Sequence, residues 1–180
     1  LVDWHPWVMS VWGSDVYDFP FKSFLHRWLV RKNLLAADKV ASTSWCMAGQ
    51  TRSLAPEISD IAVTPFGIDL GAYKCIEPVP KNKLVIGTVK SMKPVYGVDT
   101  LIEAYASLVN RFHSRTNFMP PQMELRLVGD GEQVALQSLA KRLGVAESVH
   151  FVGRVPHAQV PSELAKLDIF VALSRSESFG

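Results

Sequence analysis

The chain has 180 residues, 48% hydrophobic and 20% charged, with a formal charge of +2. That is a globular composition able to bury a core, and so small a net charge argues against nucleic acid as a partner. No run of about 18 apolar residues occurs, so no helix is expected to span a membrane. Val8-Met9-Ser10-Val11-Trp12 is a short apolar run closed by Gly13-Ser14-Asp15, which predicts a buried strand and a turn. From Lys22 to Ala37 the apolar residues Phe24, Leu25, Trp28, Leu29 and Leu35 recur at helical spacing. Lys39 to Thr43 reads as a strand, Trp45 to Leu54 as a helix opening near Ser44, and Ile61 to Thr64 as a strand stopped by Pro65-Phe66-Gly67.

The segment Ala72 to Lys83 is polar and punctuated by Pro78 and Pro80, and predicts a linker. The pattern then restarts. Leu84 to Val89 is a strand, and Val98 to Phe112 a helix with Leu101, Ile102, Tyr105, Leu108 and Val109 on one face. Glu124 to Val128 is a strand ending in Gly129-Asp130-Gly131, and Glu132 to Leu143 a helix stopped by Gly144. Ser148 to Val152, Val160 to Leu167 and Asp168 to Leu173 follow as strand, helix and strand.

Strands alternating with helices of this length imply βαβ units and parallel sheets, hence an α/β fold. The expected division is residues 1–78 for part of a first domain, 79–83 for a linker, and 84–180 for a second, incomplete domain. Leu1 in place of Met, and a stop directly after the last apolar strand, read as a chain cut at both ends. Cys46 and Cys75 have no CxxC or histidine partner at metal spacing, which predicts reduced thiols, no metal and a cytoplasmic setting. No leader is expected. Open parallel sheets bind ligands beyond the carboxyl ends of their strands. The candidate segments are therefore Gly13-Ser14-Asp15, Phe66 to Asp69, Lys90 to Gly97, Gly129 to Gly131, Gly153-Arg154, and Ser174 to Gly180.

In this order, those segments resemble the retaining glycosyltransferases of family 4, which have the GT-B fold of two Rossmann-like domains. Thr64-Pro65-Phe66-Gly67-Ile68-Asp69 is similar to the family's segment before the linker. Gly87 to Ala104, Leu127 to Gly131, and Phe151 to Val155 are similar to successive elements of its donor-binding domain. Leu167 to Ser174 followed by Glu177-Ser178-Phe179-Gly180 is similar to the opening of its paired-glutamate signature, whose second Glu would lie past residue 180. The resemblance implies an enzyme that moves a hexose from a nucleotide-sugar to a glycan or lipid-linked acceptor in cell-envelope polysaccharide synthesis. The nucleoside diphosphate sugar is then a substrate, and no cofactor or metal is implied.

It also implies roles for single residues. Glu177 would accept hydrogen bonds from hydroxyls of the donor sugar, as a carboxylate can from two neighbours at once. Ser178, Phe179 and Gly180 would line the donor, the last two with backbone N–H groups. Lys90 and Lys93 would neutralise the diphosphate leaving group, where charge develops. The usual Arg after the strand glycine is Thr88 here, and the usual Lys before the helix glycine is replaced by Val95-Tyr96. Gly153, Arg154 and Val155 would border the nucleobase. Gly13, Ser14 and Asp15 would close over the donor, with Trp12 where many relatives carry a histidine base. Asp15 reads equally as the cap of its own turn, and Gly129-Asp130-Gly131 as a structural turn. No protein nucleophile is nominated, because retaining members are thought to react on one sugar face with the leaving phosphate assisting deprotonation.

Two further readings come from the residues themselves. Lys22, His26, Arg27, Arg31 and Lys32 line one side of the Lys22–Ala37 helix, with Phe24, Trp28 and Leu29 opposite. Such a helix packs on a core or lies peripherally on the inner face of an anionic membrane. Trp4, Trp7 and Trp12 are expected in the core rather than as a carbohydrate platform. The rival functions are a sugar-nucleotide epimerase of the same fold and a non-catalytic nucleotide-binding module.

Overall fold

The structure is a computed structural model in which residues 5–73, 82–114 and 122–177 are described. The chain divides into two compact units: the first runs to Ile68 and also takes in Glu177, and the second spans Asp69–Ser176. The linker expected at 79–83 lies mostly outside the described residues, and Lys83 itself is the first residue of a strand.

The first unit is a parallel sheet of three strands, β1 (Val8–Val11), β2 (Lys39–Ser42) and β3 (Ile61–Val63), in the order β1-β2-β3. Its helices are α1 (Ser14–Tyr17), α2 (Phe24–Ala36) and α3 (Trp45–Leu54). Serines open the two longer ones. Ser23 Oγ accepts from His26 N, and Ser44 Oγ from Met47 N at 3.2 Å, each satisfying a backbone donor that the helix cannot. Val11, Val16, Leu34, Val40, Met47 and Leu54 form the core.

Helix α2 departs from the expected packing. Of its residues only Leu34 is buried, while Phe24 is 88% and Trp28 52% exposed. The apolar stripe read from the sequence as core-facing points to solvent, and Leu34 with half-buried Val30 makes the inward contact. Apolar residues occur nearly all round this helix, so periodicity alone selects no single face. Arg31, counted on the wet side, instead forks Glu57 and donates to Leu54 O at 3.3 Å. Trp12 corrects a second expectation, because it is 62% exposed rather than in the core.

The second unit is a parallel sheet of β4 (Lys83–Val89), β5 (Gln122–Val128), β6 (Val149–Gly153) and β7 (Ile169–Phe170), in the order β6-β5-β4-β7. Its helices are α4 (Val98–His113), α5 (Val134–Arg142) and α6 (Val160–Leu164). Val98, Leu101, Ile102, Tyr105 and Ala106 bury one face of α4 against Leu125 and Leu127. Each such aliphatic side chain contributes about 1.5–3 kcal/mol by leaving water. Helix α5 starts two residues later than its periodicity suggests, because Glu132 stays outside and its carboxylate accepts from Val134 N at 3.0 Å. Strand β7 is shorter than the Asp168–Leu173 expected. Its ladder is only Ile86↔Ile169 and Gly87↔Phe170, and Asp168 turns its carboxylate to Val85 N at 2.7 Å.

Candidate functional site

The chain runs from β4 outward to β5 and β6, then returns to place β7 on the other side of β4. The strand order therefore reverses between β4 and β7. In an open parallel sheet the loops leave in opposite directions at such a point, which opens a crevice at the carboxyl ends of the two strands. The segments bordering it are Lys90 to Gly97 after β4 and Val171 to Ser176 after β7. The lysines nominated from the sequence lie in the first of these segments, and Glu177 follows the second in the chain.

The lysine segment is held by its neighbours. Lys90 N donates to Val128 O at 2.9 Å, and Met92 N to Asp130 O at 2.6 Å. Ser91 Oγ donates to Asp130 O at 3.2 Å, and Gly129 N to Gly153 O at 2.9 Å. The ends of β4, β5 and β6 are in this way laced into one layer. Gly129 has φ 152°, and a Cβ there would stand 2.0 Å from the Lys90 carbonyl oxygen. A structural demand for glycine is therefore present at Gly129. Lys90 is half-buried, its Nζ 5.5 Å from the centre of the Tyr96 ring, and Lys93 is exposed at the start of the 3-10 turn Pro94–Tyr96.

The segment after β7 is tied to the same place. Val171 N donates to Gly87 O at 2.8 Å and Arg175 N to Val95 O at 2.7 Å. The Arg175 guanidinium forks Asp99 in the first turn of α4 through contacts of 3.0 and 2.8 Å. That fork holds the Asp99 carboxyl below the usual carboxylate range. Glu177 is exposed. Ser178, Phe179 and Gly180 lie outside the described residues. Arg154 is exposed and Val155 half-buried just past β6, after Gly153 with φ 82°.

Gly13 and Asp15 belong to the first unit. Gly13 is buried with φ 151°, a conformation open to glycine. Asp15 accepts from Gly13 N at 2.6 Å and from Trp12 N at 3.1 Å, so it caps its own turn. Beside that turn Met9, Ser14, Asp15, Phe19, Val30 and Asn33 line a cavity of about 500 Å³. Cys46 is a free, exposed thiol. Among the described residues, no three His, Cys, Asp or Glu side chains gather as a metal site, and no helix is long and apolar enough to cross a membrane.

Arg175 and Asp99 are the residues that sequence reasoning missed. They meet across 76 positions, and no local pattern marks either one. The only local hint is an Asp in the first turn of a helix, a common and unspecific placement.

The family described as Glycosyl transferases group 1 matches residues 72–180, and Glycosyl transferase 4-like matches residues 1–44. A D-inositol 3-phosphate glycosyltransferase of Segniliparus rotundus is 27% identical over 158 residues, which cover 80% of this chain and 33% of that protein. A second such enzyme, from Catenulispora acidiphila, is 33% identical over 104 residues, 57% of this chain and 24% of the relative. Among solved structures, sucrose-phosphate synthase from Thermosynechococcus elongatus superposes with a TM-score of 0.75 at 19% identity, covering 97% of this chain and 46% of that one. Anabaena HepE in complex with UDP and glucose gives 0.72 at 22% identity, covering 96% and 47%. The fold is that of the GT-B glycosyltransferases, and the chain spans about a third of the length of the first relative.

Proposed function

The chain belongs to the glycosyl transferases group 1 family, and from that premise we propose that it carries the donor-side machinery of a retaining hexosyltransferase. The observation that supports this most is the crevice where the strand order reverses, flanked by the Lys90–Gly97 segment on one side and the segment leading to Glu177 on the other. A nucleoside diphosphate sugar suits such a place. Its diphosphate takes the ammonium groups of Lys90 and Lys93, and its sugar hydroxyls donate to the Glu177 carboxylate. The family resemblance assigns Arg154 and Val155 to the base, and Gly13, Asp15, Ser178, Phe179 and Gly180 are further donor-binding candidates on the same ground.

In the reaction the bond from the sugar C1 to the leaving phosphate oxygen breaks. A bond from C1 to an acceptor hydroxyl oxygen forms on the same face, and the hydroxyl proton passes to the departing phosphate. The protein supplies cations for the growing phosphate charge and a fixed sugar orientation. No metal ion enters this reading. The acceptor is a glycan or lipid-linked hydroxyl of cell-envelope polysaccharide synthesis, and the site of action is the cytoplasmic face of a membrane. The exposed Phe24, Leu25, Trp28 and Leu35 of α2, beside Arg27 and Lys32, support that peripheral contact.

Calorimetric titration with UDP, GDP and ADP tests the donor reading. UDP comes first, because it is the nucleotide bound in the HepE structure. Binding of one of the three, with sugar transfer from the matching nucleotide-sugar, is the expected result. Binding of none overturns the reading, and binding without transfer reduces the chain to a nucleotide-binding module.

A further inference from the structure

Arg175 has no part in the chemistry above, yet it makes five polar contacts at the crevice. Its backbone N–H donates to Val95 O at 2.7 Å. One terminal nitrogen donates to Pro94 O and to Asp99 Oδ1 at 3.0 Å. The other donates to Asp99 Oδ2 at 2.8 Å and to Thr100 Oγ1 at 3.1 Å. The planar guanidinium matches a carboxylate edge to edge, which a lysine cannot do. Asp99 is itself well placed, because the positive end of α4 favours a carboxylate in its first turn. Gly97 completes the seat. It has φ 65°, and a Cβ there would stand 2.2 Å from the Leu173 carbonyl oxygen, so only glycine lets the two segments lie this close.

We propose that Arg175 and Asp99 form a clamp across the crevice that holds the Val171–Ser176 segment and the Lys90–Lys93 segment in one arrangement, so that Arg175 positions the lysine segment for the donor without binding the donor. This rests on the donor reading of the crevice. The ladder of β7 ends at Phe170, so pairing within the sheet does little to place Arg175 five residues later. The clamp acts two residues before Glu177 and one residue after Lys93, through Pro94 O. The four terminal N–H groups of Arg175 meet protein acceptors, which leaves only its Nε–H out of five donors for a phosphate. A guanidinium committed in that way is a tether rather than an anion site. The benefit is preorganisation, because a misplacement of about 1 Å can cost on the order of a hundredfold in rate.

The test uses Arg175→Ala, Arg175→Lys, Asp99→Ala, the double alanine variant and the exchanged pair Arg175→Asp/Asp99→Arg. Amide hydrogen exchange is followed over residues 90–97 and 171–176, UDP affinity by calorimetry, and thermal midpoints alongside. Both single alanine variants should speed exchange in both segments by about tenfold and weaken UDP by about tenfold, with the thermal midpoint little changed. The double variant should do no more than either single one. Lysine should not restore affinity, and the exchanged pair should restore part of it. Unchanged exchange, or losses that add in the double variant, overturns the clamp. Faster exchange with UDP affinity inside twofold of wild type overturns the positioning role. If the wild-type protein binds no UDP, the donor reading falls, and exchange still decides the clamp.

Discussion

Lys90 and Gly129 meet where β4 and β5 end, with the Lys90 carbonyl oxygen only 2.0 Å from where a Cβ on Gly129 would stand. The contact is part of the lacing that sets the floor of the crevice, since Lys90 N also donates to Val128 O. One backbone thus carries a nominated phosphate-binding ammonium and has room only for a glycine beside it.

Gly129→Ala should therefore act on the site as well as on the fold. Its φ of 152° lies in a region that L side chains rarely adopt, which costs about 1–3 kcal/mol before any clash is relieved. Urea unfolding should show that loss, and UDP affinity should fall along with it. A fully stable Gly129→Ala variant with wild-type affinity would contradict the packing described.

Glu177→Ala should lower sugar transfer strongly while leaving UDP affinity within a fewfold, because Glu177 is assigned to the sugar. Lys90→Ala and Lys93→Ala should do the reverse and weaken UDP itself. Parallel titrations with UDP and with UDP-glucose separate the two. Equal loss for both ligands in Glu177→Ala would move that residue from the sugar to the nucleotide.

The Arg126–Glu163 pair between β5 and α6 gives a pH dependence. Glu163, 6% exposed, accepts from Arg126 Nε and Nη2 at 2.9 and 2.8 Å and from Lys166 Nζ at 2.6 Å. Burial pushes its carboxyl up, the Lys166 and Arg126 hydrogen bonds pull it down, and the net direction is below the ordinary 4.5. A depressed folded value means that its stabilisation is present above about pH 4.5 and is lost as pH falls through the lower folded value. Glu163→Ala should cost about 1–3 kcal/mol at neutral pH, by removing the charged acceptor of the half-buried Arg126. It should also flatten the acid limb of a plot of stability against pH.

The exposed face of α2 makes the membrane contact measurable. Arg31 is unsuitable as a probe because it is tied to Glu57 and Leu54. Phe24→Ser/Trp28→Ser removes the apolar contact, and Arg27→Glu/Lys32→Glu removes the charge. Both should release the protein from vesicles of phosphatidylglycerol and phosphatidylcholine in co-sedimentation, the second in a salt-dependent way. Equal sedimentation of all three proteins would reject the contact.

Local chemistry was enough to read most elements. Ser44 before Trp45, Gly144 after Leu143, and the stripe Leu101, Ile102 and Tyr105 are signals within one or two turns of chain, and they resolve into α3, α5 and α4. Alternation of strand and helix was likewise enough for parallel sheets, because a parallel neighbour requires a crossover. The strand-end segments, and their resemblance to a glycosyltransferase family, were also present in the sequence.

Three things were decided only by the tertiary structure. The strand order, with β7 beside β4, depends on which edge a crossover reaches. The outward turn of Phe24 and Trp28 depends on Leu34 taking the inward place in competition with them. The meeting of Arg175 with Asp99 depends on the first of these, a strand order that brings together two loops separated by a long stretch of chain. Sequence determines what forms within a few residues, since those atoms are neighbours in any conformation. Contacts between distant segments follow from the global packing minimum, and the crevice with its clamp is made of contacts of that kind.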